Sequence, residues 1–260
     1  HRLLCVGTVV VLAGLTGWSG IANGQPAPTA AKPARGVEDL IKDLGNEDPA
    51  VSVKAIAELV AMGKPAVPAL MKVFLAGDEL AAPDAADALG KIADKSIAPD
   101  LIEALRQPNI RGWARDVLDK LVDKSMAPRF AKLLKEEKKE GEEEALVDPF
   151  VRNYAIEALG KLGGPEARTA LVDLLTAEDY GTRRRAAAAL GTMRDVQTVP
   201  ALMDKLTDDC PWVSHEAWLS LKRITGQAIP FHAEGPPEDR RKSISEWRQW
   251  WAERTKTKRK

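Results

Sequence analysis

Cysteine, histidine and net charge are all scarce in this chain. Its 260 residues include two cysteines and three histidines, and 38 basic side chains balance 38 acidic ones. A nucleic-acid-binding protein usually has a strongly basic domain, so the balanced charge argues against nucleic acid as the partner. Beyond the N-terminal region only His215 and His232 remain, too few and too far apart in sequence for a familiar zinc cluster, and we predict no metal site.

Sequence motifs for catalysis are absent as well. The chain has neither a Gly-rich phosphate loop nor a nucleophilic serine motif, and no set of residues meets the requirements of a catalytic site. We therefore predict a protein that is not an enzyme, with no catalytic residue and no bound cofactor. Cys210 is expected to fill a helix N-cap position at a turn, with an intermolecular disulfide or attachment point as the alternative.

Strand signals are nearly absent, and aromatic residues make up only 5% of the chain, against 45% hydrophobic and 29% charged residues. This composition suits many thin helices that contact one another through small side chains. We therefore predict an all-α protein.

The most prominent feature of the chain is a phrase that recurs with a period of about 30 residues. One copy runs from Phe150 to Gly164 and another from Trp212 to Gly226. A period of this length is typical of a stacked array, in which each unit buries its apolar face against its neighbours. Ala fills one column of all six copies, at Ala55, Ala85, Ala114, Ala155, Ala186 and Ala217, and Leu fills another, at Leu59, Leu89, Leu118, Leu159, Leu190 and Leu221.

Each copy has the apolar period of a helix. In the fourth copy Val151, Ala155, Leu159 and Leu162 fall on one face. Glycines in another column, Gly90, Gly160 and Gly191, lower helix propensity, and we expect close helix packing as the compensation. The residues that precede the copies predict helix N-caps, several of them followed by Pro at N1: Asp48, Asp78, Gln107, Asp148, Asp179 and Cys210.

A further helix is predicted before each copy. These six segments align on one apolar column, and four of them carry Pro near the start, where a helix tolerates it. The unit is therefore a helical hairpin, present six times. The apolar column of the first helices is Leu40, Leu70, Leu101, Phe130, Leu171 and Leu202.

The second-helix phrase V-R-x-x-A-x-x-A-L-G-x-L, as in Val151–Leu162, and the Asp-Pro turn before it resemble the HEAT-repeat family. The likeness is strongest to its short phycobilisome-lyase HEAT-like repeats, and it covers Val37–Gly226. It implies a right-handed α-solenoid, an armadillo/HEAT-like superhelix of six helical hairpins with the second helices on the concave face. It also implies a protein that binds another macromolecule.

Residues 1–24 do not follow the repeat pattern. An apolar run from Leu3 to Leu15 is followed by small residues before Gln25, which predicts a secretory signal peptide too short for a comfortable membrane span. An uncleaved membrane anchor is the alternative. Residues 25–36 are Pro/Ala-rich and predict a disordered linker. We expect a periplasmic or secreted protein without a stable membrane span after cleavage.

Two segments interrupt the repeat pattern. The charge run Lys135–Pro149 predicts an extended helix end and a solvated loop, with a docking loop as the alternative. Residues 227–260 follow the six repeats of residues 37–226 and predict a capping helix that opens after Pro236 and ends in a basic tail.

Within that capping helix, Ile244, Trp247 and Trp251 share one face, and both Trp rings are expected to cover the last repeat near Leu221 and Ile224. A carbohydrate-binding Trp platform is the alternative. The ending W-R-x-W-W is similar to that of exported HEAT-like proteins of bacteria such as planctomycetes.

The predicted partner-binding site lies on the second helices of copies three to five. Aromatic and Arg side chains there fall in columns just after the helix starts, and this is the composition of interface hot spots. The alternative is that the Arg residues pair with turn Asp residues of neighbouring units. The predicted site residues are Arg111, Trp113, Arg152, Tyr154, Arg183, Arg184 and Arg185.

Together, these sequence features predict an exported, non-enzymatic scaffold that binds another protein on its concave face. The alternative is a lyase-like or accessory module of an enzyme that handles a prosthetic group.

Overall fold

The computed structural model describes residues 35–135 and 148–257. The predicted signal peptide, nearly all of the Pro/Ala-rich linker and most of the charged insertion lie outside the described residues. From Gly36 onward the described residues belong to one compact unit, Gly36–Lys260. They form thirteen α-helices joined by turns and short 3-10 segments, and they contain no strand.

Six helical hairpins account for the first twelve helices. Their first helices are α1 (Val37–Ile41), α3 (Val67–Ala76), α5 (Ala98–Ala104), α7 (Ala127–Lys135), α9 (Pro165–Asp173) and α11 (Val199–Asp204). Their second helices are α2 (Pro49–Met62), α4 (Ala81–Ile92), α6 (Arg111–Leu121), α8 (Pro149–Leu162), α10 (Tyr180–Met193) and α12 (Pro211–Thr225). Successive second helices pack together, α2 on α4, α4 on α6, α8 on α10 and α10 on α12, which confirms the predicted stack of hairpins.

The repeated apolar columns form the core of the array. Every residue of the Ala column and of the Leu column is at most 1% exposed, and so is every residue of the first-helix column. Burial of these columns in adjoining hairpins makes one continuous core, because each hairpin covers the apolar face of the next. The prediction of both helices in each unit is therefore confirmed.

Asp side chains cap three of the second helices as predicted, whereas the predicted N-cap Asp78 is wrong because Leu80 holds that position in α4 and Asp78 instead accepts the backbone N–H groups of Leu80 and Ala81. Asp48 accepts a hydrogen bond from the backbone N–H of Ala50, and Asp148 and Asp179 each accept two from the first turns of α8 and α10. Cys210 lies at the predicted N-cap position of α12, although its side chain forms no capping hydrogen bond.

The prediction of an N-cap at Gln107 is wrong. Helix α6 begins four residues later, at Arg111. The carbonyl oxygen of Gln107 accepts hydrogen bonds from the backbone N–H groups of Ile110 and Arg111. Gln107 and Pro108 therefore open a separate turn before the helix, rather than forming its first two positions.

Two of the three aligned glycines allow close helix packing. A Cβ placed on Gly160 in α8 would lie 2.9 Å from the backbone of Ala189 in α10, and one on Gly191 would lie 2.3 Å from Oγ of Ser220 in α12. Gly90 differs, because the nearest atom to its Cβ position is the flexible end of Lys120. Close approach thus explains Gly160 and Gly191 but not Gly90.

Ion pairs also link the turns of successive hairpins. Asp94 accepts the backbone N–H of Ser96 in its own turn and lies 2.7 Å from Nζ of Lys64 in the preceding hairpin. Asp123 and Asp195 likewise each accept a backbone N–H in their own turn and pair with a basic side chain of the preceding hairpin. The corresponding pairs are Lys95 with Asp123 at 3.2 Å and Arg168 with Asp195 at 2.5 Å.

Helix α13 (Pro237–Thr257) follows the last hairpin. Trp247 is fully buried and Ile244 is 7% exposed, whereas Trp250 and Trp251 are half-buried. The helix packs mainly against α11, rather than against α12, which carries Leu221. The fold therefore includes the predicted capping helix, with Trp247 as its central buried ring.

Within residues 35–135 and 148–257, no single helix combines the length and apolar composition of a membrane span. Taken together, the segments Pro49–Met62 and Lys64–Ala76 have that length and composition, but the chain bends by 118° between them.

Candidate functional site

A groove of 610 Å³ lies beside the first half of α12. One wall comes from the helix itself and the other from the segment that follows it, between Gly226 and α13. Such a volume falls within the range of ligand-binding pockets. The lining residues are Pro211, Trp212, His215, Trp218, Phe231, His232, Ala233, Glu234 and Gly235.

The groove exists because the chain folds back along α12. Gly226 ends that helix in the left-handed conformation, at φ 72°, which favours glycine. The indole N–H of Trp218 donates to the carbonyl oxygen of Ile229 at 2.8 Å and fixes the returning segment to the helix. Phe231 and Ala233 are buried and anchor it further. These contacts place both walls of the groove.

Aromatic rings dominate the surface of this groove. Trp212 lies at the edge of the groove and is 59% exposed. Few of the described large hydrophobic side chains are exposed to solvent in this way. The rings of His215 and Trp218 lie 5.4 Å apart at an angle of 49°. Nζ of Lys222 lies 4.4 Å from the centre of the Trp218 ring, in a cation–π contact.

One carboxylate, that of Glu234, lines the groove together with the imidazoles of His215 and His232. Glu234 is exposed and forms no ion pair with any other described residue. No Lys or Arg lines the groove, although Arg240 lies nearby and donates to the carbonyl oxygen of Ala233 at 3.3 Å. In the part of the chain that the structure describes, no group of three or more His, Cys, Asp or Glu residues is arranged to hold a metal ion.

Tyr154 is a buried residue, and its predicted place in an exposed partner-binding site is wrong. It is 2% exposed, and its ring meets that of Phe130 edge-on at 5.9 Å. The hydroxyl group donates to Asp119 at 3.2 Å. Burial and the neighbouring Asp119 carboxylate raise the pKa of Tyr154 well above its usual value. This Tyr supports the fold between α6 and α8.

Arg183 is likewise bound within the fold. Its guanidinium contacts Asp208 in the next hairpin through two hydrogen bonds, and it also pairs with Asp209 at 2.7 Å. The Asp208 side chain is 4% exposed. Burial alone would raise the pKa of Asp208, but hydrogen bonds from Arg183 and the Cys210 backbone outweigh it and lower that pKa. For Arg183, pairing with a turn Asp of the next unit is confirmed.

The other five predicted site residues are at least partly accessible. Cζ of Arg111 lies 4.9 Å from the ring centre of Phe150, while Trp113 is half-buried against the core. Arg152 is half-buried, and its charge helps lower the pKa of Asp179 against the effect of burial. Arg184 and Arg185 are exposed on α10. Partner binding by these five residues stays a prediction.

Sequence reasoning missed the groove beside α12. The signal was present in part, since Trp212, His215 and Trp218 recur every three residues near the start of one helix. Phe231 and His232, however, lie in a segment without any period, and the fold-back that joins them to α12 depends on a tertiary contact. His215 is exposed and belongs to this aromatic cluster, in which its ring lies beside that of Trp218.

Comparison with protein families gives matches along the second and later hairpins. The model of HEAT repeats matches residues 144–190 and 170–234, and that of the PBS lyase HEAT-like repeat matches residues 84–107. No curated protein sequence matches the chain significantly.

Several solved structures are similar at low identity. Human deoxyhypusine hydroxylase in complex with glycerol is 20% identical over 84% of each chain, with a TM-score of 0.35. An engineered protein is 24% identical over 73% of this chain and 96% of its own, with a TM-score of 0.36. The CpcE–CpcF complex of phycocyanin lyase from Nostoc sp. PCC7120 is 20% identical, covering 87% of this chain and 100% of that one, with a TM-score of 0.28.

Proposed function

Because the chain carries HEAT repeats, we propose that it is a non-enzymatic scaffold that binds a partner protein through the groove beside α12. The observation that carries this proposal is the exposure of Trp212 at the edge of the groove. An exposed Trp is costly to leave in water, and Trp is enriched among the residues that dominate binding energy at interfaces.

The surrounding residues support the same role. The exposed His215 and the half-buried Trp218 form an aromatic surface next to Trp212, so a partner side chain inserted there meets more than one ring. Trp218 is held by its hydrogen bond to Ile229, so the surface is preorganised and loses little side-chain entropy on binding.

The proposal is tested by affinity capture from the native cell envelope with parent protein and two variants. Trp212→Ala removes the exposed ring of the groove. Tyr180→Ala removes an aromatic ring that is 55% exposed at the start of α10, outside the groove, and serves as the matched control. We expect the first variant to lose partners that the second retains.

Equal capture by both variants, each with the melting temperature of the parent, would place the binding surface elsewhere. The alternative of a module that handles a prosthetic group makes a different prediction. Protein purified from its native host would then absorb light at wavelengths above the aromatic band.

Export is the second part of the proposed function. Its support is the sequence of residues 1–24, with an apolar run from Leu3 to Leu15 ahead of small residues. We expect protein from the native host to begin near Gln25 and to lie outside the cytoplasm. N-terminal sequencing decides this point, because a chain that retains the apolar run and pellets with membranes is an anchored protein.

A further inference from the structure

We propose that the groove beside α12 binds a cationic side chain, Lys or Arg, of a partner protein. This inference rests on the proposed function and names the chemistry of its ligand. It comes from the combination of aromatic faces with a single carboxylate, in a groove that no Lys or Arg lines.

The aromatic part of the argument concerns Trp212 and its neighbours. The face of an indole ring attracts cations through its negative quadrupole, and Trp is the strongest of the side chains that do so. This protein already uses that interaction nearby, since the Lys222 ammonium lies over the Trp218 ring. Trp212 has no such cation–π contact among the described residues and is 59% exposed, so its ring remains accessible to a cation from outside.

The charged part of the argument concerns Glu234. Its carboxylate is exposed in the wall opposite α12 and is paired with no other described residue. The Lys and Arg side chains beside the groove are engaged in other contacts, Lys222 with Trp218 and Arg240 with the carbonyl oxygen of Ala233. A cation that enters the groove therefore gains both a ring face and an opposite charge.

A cationic side chain fits this surface better than a purely apolar one. An aliphatic anchor would bury Glu234 without a partner, which is costly for a charged group. Arg and Lys carry an apolar stem as well as a charge, so the stem covers the accessible part of Trp218 while the charged end reaches the carboxylate.

The test uses the chain from Gln25 to Lys260 and three small probes, with the Trp212 indole N–H resonance as the readout. The probes are N-acetylarginine methylamide, its uncharged citrulline counterpart and the neutral sugar cellotetraose. We expect the Arg probe to shift the resonance saturably and to bind about fivefold more tightly than the citrulline probe, the size of an exposed cation–π contact.

Two charge variants locate the effect. Glu234→Gln should weaken binding of the Arg probe about fivefold, a typical loss for one charge pair near the surface. Glu246→Gln removes an exposed carboxylate on α13, outside the groove, and should leave binding unchanged. Equal losses in both variants would overturn the proposal, because they would reflect net charge alone.

The remaining outcomes are also distinct. Equal binding of the Arg and citrulline probes overturns the cationic ligand while leaving protein binding at the groove in place. A response to cellotetraose alone assigns the groove to carbohydrate and overturns the proposal. If no probe shifts Trp212, yet Trp212→Ala still loses its partner, the groove binds a protein through a different side chain, and the cationic ligand is again overturned.

Discussion

Arg183 in α10 and Asp208 in the turn before α12 join two successive hairpins through a two-point ion pair. Nε of Arg183 lies 3.0 Å from one carboxylate oxygen of Asp208, and Nη2 lies 2.8 Å from the other. The same Arg donates to the backbone carbonyl oxygens of Ala177 and Glu178. The Arg183 side chain thus connects the turn before α10 with the turn before α12.

Loss of this pair should destabilise the protein. Both side chains are largely buried, 11% exposed for Arg183 and 4% for Asp208, and removal of Arg183 leaves the Asp208 carboxylate with only Lys205, at 3.6 Å, as an ion-pair partner. We expect Arg183→Ala to lower the free energy of unfolding by about 3 kcal/mol, as measured by urea denaturation. Arg185→Ala, at an exposed Arg of the same helix that has no ion pair among the described residues, should change it by less than about 0.5 kcal/mol. Similar values for the two variants would contradict the structural role.

Gly160 and Gly90 should respond in opposite directions to replacement by Ala. A Cβ on Gly160 would clash with the backbone of Ala189, so overpacking should cost about 1–3 kcal/mol. At Gly90 the nearest atom is the flexible end of Lys120, and the better helix propensity of Ala should stabilise the protein by up to about 1 kcal/mol. Urea denaturation of both variants measures the difference. Two variants of equal stability would show that α8 and α10 are not in close contact at Gly160.

The repeated columns of the sequence predicted the fold because they report which face of each helix is buried. A period carries this information wherever successive units pack in the same way, as the fully buried Ala155 and Leu159 illustrate. Tyr154 shares its column with the exposed Arg185, and its burial depends on the particular step between α6 and α8. There long side chains bridge the two helices, including Arg115 with Glu157 at 2.6 Å.

The candidate site was less predictable for a related reason. Arg183 and Tyr154 have the composition of an interface, but their partners, Asp208 and Asp119, lie in neighbouring units that the pattern does not specify. The groove needs the fold-back after α12, which depends on the hydrogen bond between Trp218 and Ile229 and on the burial of Phe231 and Ala233 rather than on any repeat. Local pattern therefore predicts the array, while contacts between units decide which polar side chains stay accessible.

Trp247 should contribute more to stability than any other ring of α13. It is fully buried, and its indole N–H has no hydrogen-bond partner among the described residues. We expect Trp247→Ala to cost about 3–5 kcal/mol, as large-to-small changes in a core do. Trp247→Phe should cost less, because it keeps an aromatic ring and removes an unsatisfied donor.

The matched control is Trp212→Ala, which deletes the same side chain at an exposed position and should change stability by less than about 0.5 kcal/mol. Thermal unfolding of the three variants provides the comparison. A Trp247→Ala protein that melts at the temperature of the parent would rule out the capping role and make the α13 rings binding candidates.

The protein should lose stability in acid, and the ion pairs between hairpin turns should account for part of the loss. Hydrogen bonds from Lys64 and Ser96 lower the pKa of Asp94. Burial would raise the pKa of Asp195, but the backbone N–H of Gln197 and the Arg168 guanidinium outweigh it and lower that pKa too. A carboxyl with a lowered folded-state pKa stabilises the fold above its unfolded value, about 3.9 for Asp, and that stability is lost as pH falls below it.

Thermal unfolding of parent protein between pH 7 and pH 2 should therefore show a melting temperature that declines most steeply below about pH 4. Asp195→Asn should melt at a lower temperature than the parent at pH 7, and it should lose less on acidification, because it no longer has that carboxyl to protonate. Glu79→Gln removes an exposed carboxylate that has no ion pair among the described residues, and it should follow the parent throughout. If Asp195→Asn and the parent decline in parallel, the pair of Asp195 with Arg168 contributes nothing to acid stability.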